Sequence, residues 1–331
     1  MPAMLLTDLD DEAVSVALNP IEQRMAVAIQ VRLQLSDAAT LRLLIRHPEI
    51  LNYSLEQNVE PTIDGLQQEL GLTDAELGAV CLAAPSALGL SLSDCLRPRL
   101  ASLRSLLKLD AGELRTLVKK YPRVLLLSLE DNVVPTLSKL RLLLELSEGE
   151  LQGLVLKYPQ VLSLSAENNV APTVLALCGL LGDGSEYPDS FYPPVHGDIR
   201  TLILRLPSVL GLSVTDNLRP KLTYLADALG LTKMELRAVV LREPAVLGSS
   251  LEKSLRPNLQ LWRSELPDNL GLREVALARG LRFLTCSHDR RLRPRLQAAK
   301  DLGLPADALL TKMRLTDAAF ADWLSSRNMQ S

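Results

Sequence analysis

The sequence predicts an all-α fold, a helical-repeat solenoid (a curved superhelix) of about seven 37-residue units, and three observations predict it. A serine recurs at Ser54, Ser91, Ser128, Ser165, Ser213, Ser250 and Ser287. Seven residues after each stands a proline, Pro61, Pro98, Pro135, Pro172, Pro220, Pro257 or Pro294, in successive steps of 37, 37, 37, 48, 37 and 37 residues. An earlier proline, Pro48, Pro85, Pro122, Pro159, Pro207 or Pro244, precedes the second by 13 residues in six units, and Leu281 takes its place in the seventh. Three residues after that position every unit carries leucine: Leu51, Leu88, Leu125, Leu162, Leu210, Leu247 and Leu284. Such a period is one supersecondary unit copied along the chain, each copy exposing an apolar edge that only its neighbours cover.

The elements of a unit follow in order. Leu114, Leu117, Val118 and Tyr121 fall at i, i+3, i+4 and i+7, as do Leu151, Leu154, Val155 and Tyr158, so a first helix lies upstream of the first proline. Thr73 with Glu76, Ser147 with Glu150 and Thr232 with Glu235 have the spacing of capping boxes that start it. The proline ends it by pushing the preceding residue out of the α region. A short apolar turn leads to the recurrent serine, the N-cap of a second helix. Ser91, Ser128 and Ser213 are each followed three residues on by Asp94, Asp131 or Asp216, which suits the positive end of a helix. The stripe Val133, Leu137, Leu140, Leu144 crosses Pro135 in phase. Either the helix is kinked there, or one turn precedes a helix with proline in its first turn.

The array spans residues 34–303, flanked by an acidic segment and capping helix at 1–33 and a capping half-repeat at 304–331. The seventh unit is degraded, with His288 and Arg291 in place of the usual aliphatic and asparagine. The step of 48, 11 residues longer than the others, places an insertion loop at 183–194, rich in Pro, Gly, Ser and acids and carrying Tyr187, Phe191 and Tyr192. It reads as a surface loop, with a partner-contacting loop as the alternative.

The core must be aliphatic, because the chain is 47% apolar but only 3% aromatic. Cys81, Cys95, Cys178 and Cys286 share no column and form no CxxC pair, which argues against a disulfide framework or a zinc site. No apolar run approaches the roughly 20 residues of a membrane span. The stretch MPAMLLTDLDDEA has neither a basic start nor a long apolar run; either the protein stays where it is made, or the true start is missing. The net charge of −3 hides an asymmetry: residues 1–194 carry 15 Lys and Arg against 25 Asp and Glu, residues 195–331 carry 21 against 14. The basic second part keeps a polyanionic partner open.

The pattern Leu-x-x-x-x-Pro-x-x-Leu-x-x-Ser-Leu-x-x-Asn-Leu-x-Pro-x-Leu-x-x-Leu is clearest in residues 118–140 (VKKYPRVLLLSLEDNVVPTLSKL) and 240–259 (VLREPAVLGSSLEKSLRPNL). It resembles the mitochondrial transcription termination factor family, mTERF, over about residues 34–303. That resemblance implies a curved all-α superhelix, nucleic-acid binding, residence in mitochondria or chloroplasts, and a part in organelle gene expression, whether transcription termination, other regulation or RNA maturation. It implies neither DNA over RNA nor a particular step. Partners would be duplex DNA or structured RNA and other organelle expression proteins, with the chain itself a monomer.

The cations most suited to phosphates lie on the second helices. Arg97, Arg219, Arg256 and Arg293 stand just before the second proline; Arg104, Arg263 and Lys300 lie seven residues further on the same flank. Arg99, Lys221 and Arg295 follow the proline, and Arg290 and Arg291 add to the last unit. Stacked units would line such residues up along a nucleic-acid backbone. The bland reading is a solvated flank whose arginine stems cover apolar neighbours. Tyr53, Tyr121 and Tyr158 read as packing residues rather than base-stacking platforms, and His47 as a core-edge residue. No HExxH, GxSxG, P-loop or GxGxxG motif occurs and no serine has a plausible histidine partner, so the reading is non-enzymatic, with no cofactor and no metal. The rival function is a protein-binding helical scaffold of HEAT-like type, which the acidic first part would suit.

Overall fold

Each repeat resolves into four short elements whose order is dictated by its serine and its two prolines. The computed structural model describes residues 19–182, 197–267 and 270–328, and among these there is no strand. The insertion at 183–194, its three aromatics and the acidic segment before residue 19 lie outside them. The third repeat serves as the pattern. Its first helix, Ala111–Lys120, opens on a capping box in which Asp110 accepts from the Glu113 amide and Glu113 accepts from the Asp110 amide. Tyr121 ends it ahead of Pro122, and a 3-10 turn, Pro122–Leu126, carries Val124 and Leu125 into the core. Ser128 then accepts from the Asp131 amide at 3.1 Å and opens a single π-turn, Leu129–Val133, that runs directly into the helix Val134–Leu144.

The π-turn decides between the two sequence readings of Pro135. The amide of Val133 reaches back five residues to the Ser128 carbonyl at 3.1 Å, and Leu96, Leu218, Leu255 and Leu292 do the same to their own serines at 3.0 to 3.1 Å. A proline ring cannot donate and crowds the carbonyl four residues before it, and a widened turn gives the ring room. One turn therefore precedes a helix with proline near its start. The three capping boxes expected at Thr73, Ser147 and Thr232 are present, and Asn19 with Glu22 and Asp110 with Glu113 add two more. The turn leucines Leu88, Leu125, Leu162, Leu210, Leu247 and Leu284 are completely buried, and Leu51 is half-buried.

Contacts divide the chain into two compact halves, Met1–Ala166 and Glu167–Ser331. Within each half, three ladders tie a repeat to the next. In the first, the residue after the second proline donates to carbonyls of the following 3-10 turn: Thr62 to Leu90 at 2.9 Å and Thr136 to Leu164 at 2.7 Å in one half, Asn258 to Leu284 at 2.9 Å and Cys286 at 2.8 Å in the other. In the second, the capping-box glutamate receives a side chain from the next first helix: Glu76 from Arg115, Glu113 from Gln152, Glu235 from Arg273. In the third, a cation in the last turn of a first helix caps the next such helix: Lys120 on the Leu156 carbonyl at 3.0 Å, Arg205 on Leu241 at 2.6 Å, Arg242 on Leu277 at 2.8 Å. Helix ends leave carbonyls unpaired and carry partial negative charge, so these cations satisfy both.

The seventh repeat closes on the segment after it. Two 3-10 turns, Ala306–Leu309 and Lys312–Arg314, precede a helix, Asp317–Asn328. Arg295 anchors this segment by donating to the Lys312 and Leu315 carbonyls at 3.1 and 2.8 Å, while its guanidinium lies 4.4 Å from the Phe320 ring centre. No helix among the described residues is long and apolar enough to cross a membrane.

Candidate nucleic-acid interface

A residue just before the second proline sits at the mouth of its helix with its side chain outward, and the next residue after the proline is turned about 200° away along the helix, towards the neighbouring repeat. The structure separates the two columns accordingly. Arg97, Arg219 and Arg293 are exposed and Arg256 is half-buried. Seven residues on, Arg104, Arg263 and Lys300 are exposed as well. Arg290 is exposed, and Arg291 is half-buried with its Nε 3.8 Å from Asp317.

The column after the proline is corrected. Lys221 is only 2% exposed and Arg295 only 4%, and Arg99 is half-buried. Arg99 donates to the Leu125 carbonyl; Lys221 donates to the Leu247 carbonyl and to Asn217 Oδ1 at 2.7 Å. They occupy the same ladder as Thr62, Thr136 and Asn258, with longer side chains reaching the same turn. Burial pulls the Lys221 ammonium down to about 8. Arg99 and Lys221 join one repeat to the next, and Arg295 ties the seventh to the segment after it.

The exposed cations are lightly tethered. Arg97 pairs with Glu69 at 2.8 Å, Lys300 with Glu265 at 2.7 Å, and Arg256 with Glu252 at 3.2 Å while lying 4.6 Å from the Tyr224 ring centre. Arg263 donates to the Ala228 carbonyl and Arg104 to Leu109 at 3.3 Å. Exposed pairs of this kind are worth about 1 kcal/mol or less, so an incoming phosphate competes with them easily. In the first half Arg97 and Arg104 line a groove of about 400 Å³ with Leu100, Ala101 and Leu114. In the second half Arg263 and Arg273 line an equivalent groove of about 360 Å³ with Trp262 and Leu266.

Sequence reasoning missed a further column two residues before the first proline: Arg46, Lys120, Lys157, Arg205, Arg242 and Arg279, all exposed. Reading the first helix by column, as was done for the second, finds it; Ala83 is its one interruption. Lys120, Arg205 and Arg242 form the helix-capping ladder already described. Cys81 and Cys178 are buried, which raises both thiols, Cys81 to about 12. Among the described residues no cluster of His, Cys, Asp or Glu could hold a metal ion.

An all-α array of this repeat, with cations set at recurrent positions of its second helices, defines a helical-repeat solenoid. The mTERF family model matches residues 15–177 and 195–315, and the chain belongs to the mTERF family. The break in that match brackets the insertion at 183–194. No curated protein matches the chain significantly.

Proposed function

We propose that the protein binds nucleic acid through phosphate contacts made by the exposed cations of its second helices and thereby regulates organelle gene expression. The observation that carries this reading is the recurrence of arginine and lysine at two fixed positions: exposed Arg219 and Arg293 and half-buried Arg256 before the proline, exposed Arg263 and Lys300 seven residues later. Arg290 and Arg291 extend the same surface on the seventh repeat, and Arg97 and Arg104 form a separate pair in the first half. Repeats set side by side present such residues at regular intervals, which suits a polymer with regularly spaced charges. Family membership supports the nucleic-acid class and an organelle setting. The mechanism is occupancy: a chain clamped on nucleic acid blocks or recruits other machinery, with backbone contacts fixing position and carrying little sequence information.

The test is filter binding of duplex DNA and structured RNA by the full chain and by a variant with Arg256, Arg263 and Arg293 changed to Glu. The variant is expected to lose at least tenfold in affinity at moderate salt. Unchanged affinity would remove this surface as the binding site. Elution of the wild-type chain from heparin at low salt together with a protein partner would favour a scaffold instead.

A further inference from the structure

The sixth and seventh repeats each depart from the pattern at one position, and the two residues touch each other. The residue after the recurrent serine is aliphatic in the other repeats, Leu55, Leu92, Leu129, Ala166, Val214 and Leu251, but is His288 in the seventh. The partner column, which elsewhere holds Thr, Arg or Lys, holds Asn258 in the sixth repeat. Asn258 Nδ2 donates to the carbonyls of Leu284 and Cys286, at 2.9 and 2.8 Å, so its Oδ1 is turned to His288 Nδ1 at 2.9 Å. An amide oxygen only accepts, so Nδ1 carries the hydrogen. Nε2 faces Arg293 Nε at 3.2 Å, and a guanidinium only donates, so Nε2 presents its lone pair. The arrangement specifies one tautomer of a neutral imidazole, and it holds Arg293 folded back along its own repeat.

A proton from solvent has one place to go, Nε2. Once there it removes the acceptor for Arg293 and sets a second positive charge 3.2 Å from the guanidinium. Arg293 is then driven outward. The turn His288–Leu292 packs against the helices Arg256–Glu265 and Arg293–Asp301. The charged groups of these elements are Asp289, Arg290, Arg291, Arg256, Arg263, Glu265, Arg293, Arg295, Lys300 and Asp301. Glu265 is paired with Lys300, Asp301 accepts from Gln297 at 2.7 Å, and Arg291 and Arg295 face Asp317, so Asp289 is the acid next to His288 in the chain and cations outnumber acids around the imidazole. A doubly protonated imidazole among these cations is unfavourable alone and favourable beside a phosphate.

We propose that His288 is a positioning residue that couples uptake of one proton to phosphate binding by Arg293 at the seventh repeat. The proposal rests on the nucleic-acid reading above and goes beyond it by naming the residue that makes binding depend on pH. By linkage, a complex that holds one more proton than the free protein tightens as pH falls, and an imidazole exchanges its proton between about pH 5 and pH 8.

The experiment measures affinity of the full chain for a mixed-sequence DNA duplex of about 30 base pairs at pH 6 and pH 8, at constant ionic strength. The wild-type chain is expected to bind about three- to tenfold more tightly at pH 6. His288→Gln retains a donor for Asn258 but does not titrate, and His288→Leu restores the residue of the other repeats. His288→Gln, which keeps an acceptor for Arg293, is expected to bind as the wild type does at pH 8, at either pH; His288→Leu, which removes that acceptor, is expected to bind with equal affinity at the two pH values. Equal tightening at pH 6 in either variant would overturn the proposal, as would loss of binding by both variants at pH 8. Absence of wild-type binding at both pH values would instead sink the nucleic-acid reading itself.

Discussion

At the scale of single residues, the position of a cation relative to one proline decides its role. Arg219 and Lys221 flank Pro220, yet the first is exposed and the second buried. The difference lies in the neighbouring repeat, whose short α-helical turn, Ala245–Gly248, offers the Leu247 carbonyl to Lys221. The cost of that burial is legible in pH. Lys221 sits near 8 in the folded chain and in the ordinary lysine range when unfolded, so the folded state binds fewer protons in between. Stability therefore rises as pH is raised from about 8 towards 10.5, by on the order of 3 kcal/mol. Lys221→Thr, the residue of the first, third and fourth repeats, is expected to flatten that rise in urea titrations across this range. The same ladder gives a second expectation at Thr136, which is fully buried and donates to the Leu164 carbonyl. Thr136→Val keeps the shape and leaves that acceptor with one fewer partner, at about 1–3 kcal/mol of unfolding free energy.

At the scale of elements, helix starts were legible and helix joints were not. Thr73, Ser147 and Thr232 announce first helices because a capping box has a spacing of its own. The recurrent serines announce N-caps for the same reason, and Ser54, Ser91, Ser213, Ser250 and Ser287 each accept from the amide three residues on, as Ser128 does. The π-turn between serine and proline was hidden, since a proline declares only that an amide is missing, not how the backbone goes round it. The buried column at Arg99, Lys221 and Arg295 was misread because charge outweighed context. Thr62, Thr136, Thr173 and Asn258 in that column were the available clue, four short polar groups in want of acceptors. The second helices also end unevenly. Gly71 and Gly230 take the left-handed terminal position, while Lys108 and Glu145 hold it at φ 53 and 48. A β-carbon is disfavoured there, so Glu145→Gly is expected to raise stability by about 0.5–1 kcal/mol in thermal or denaturant melts.

At the scale of the whole molecule, charge is partitioned along the chain as the repeats are. Residues 195–331 carry the basic excess, and its exposed part is shared between the second helices of the last three repeats, at Arg219, Arg263, Arg293 and Lys300, and their first helices, at Arg205, Arg242 and Arg279. The buried cations count towards the excess but cannot reach a phosphate, so formal charge overstates the surface available. That distinction gives the most direct measurement: the dependence of duplex affinity on salt. Each phosphate contact contributes about −0.9 to the slope of log affinity against log salt. Replacing Arg219, Arg263 and Arg290 together with Gln is predicted to make the slope shallower by about 2 to 3, whereas Lys221→Thr is predicted to leave it unchanged. An unchanged slope for the triple variant, or a shallower one for Lys221→Thr, would contradict the assignment of surface and interior cations.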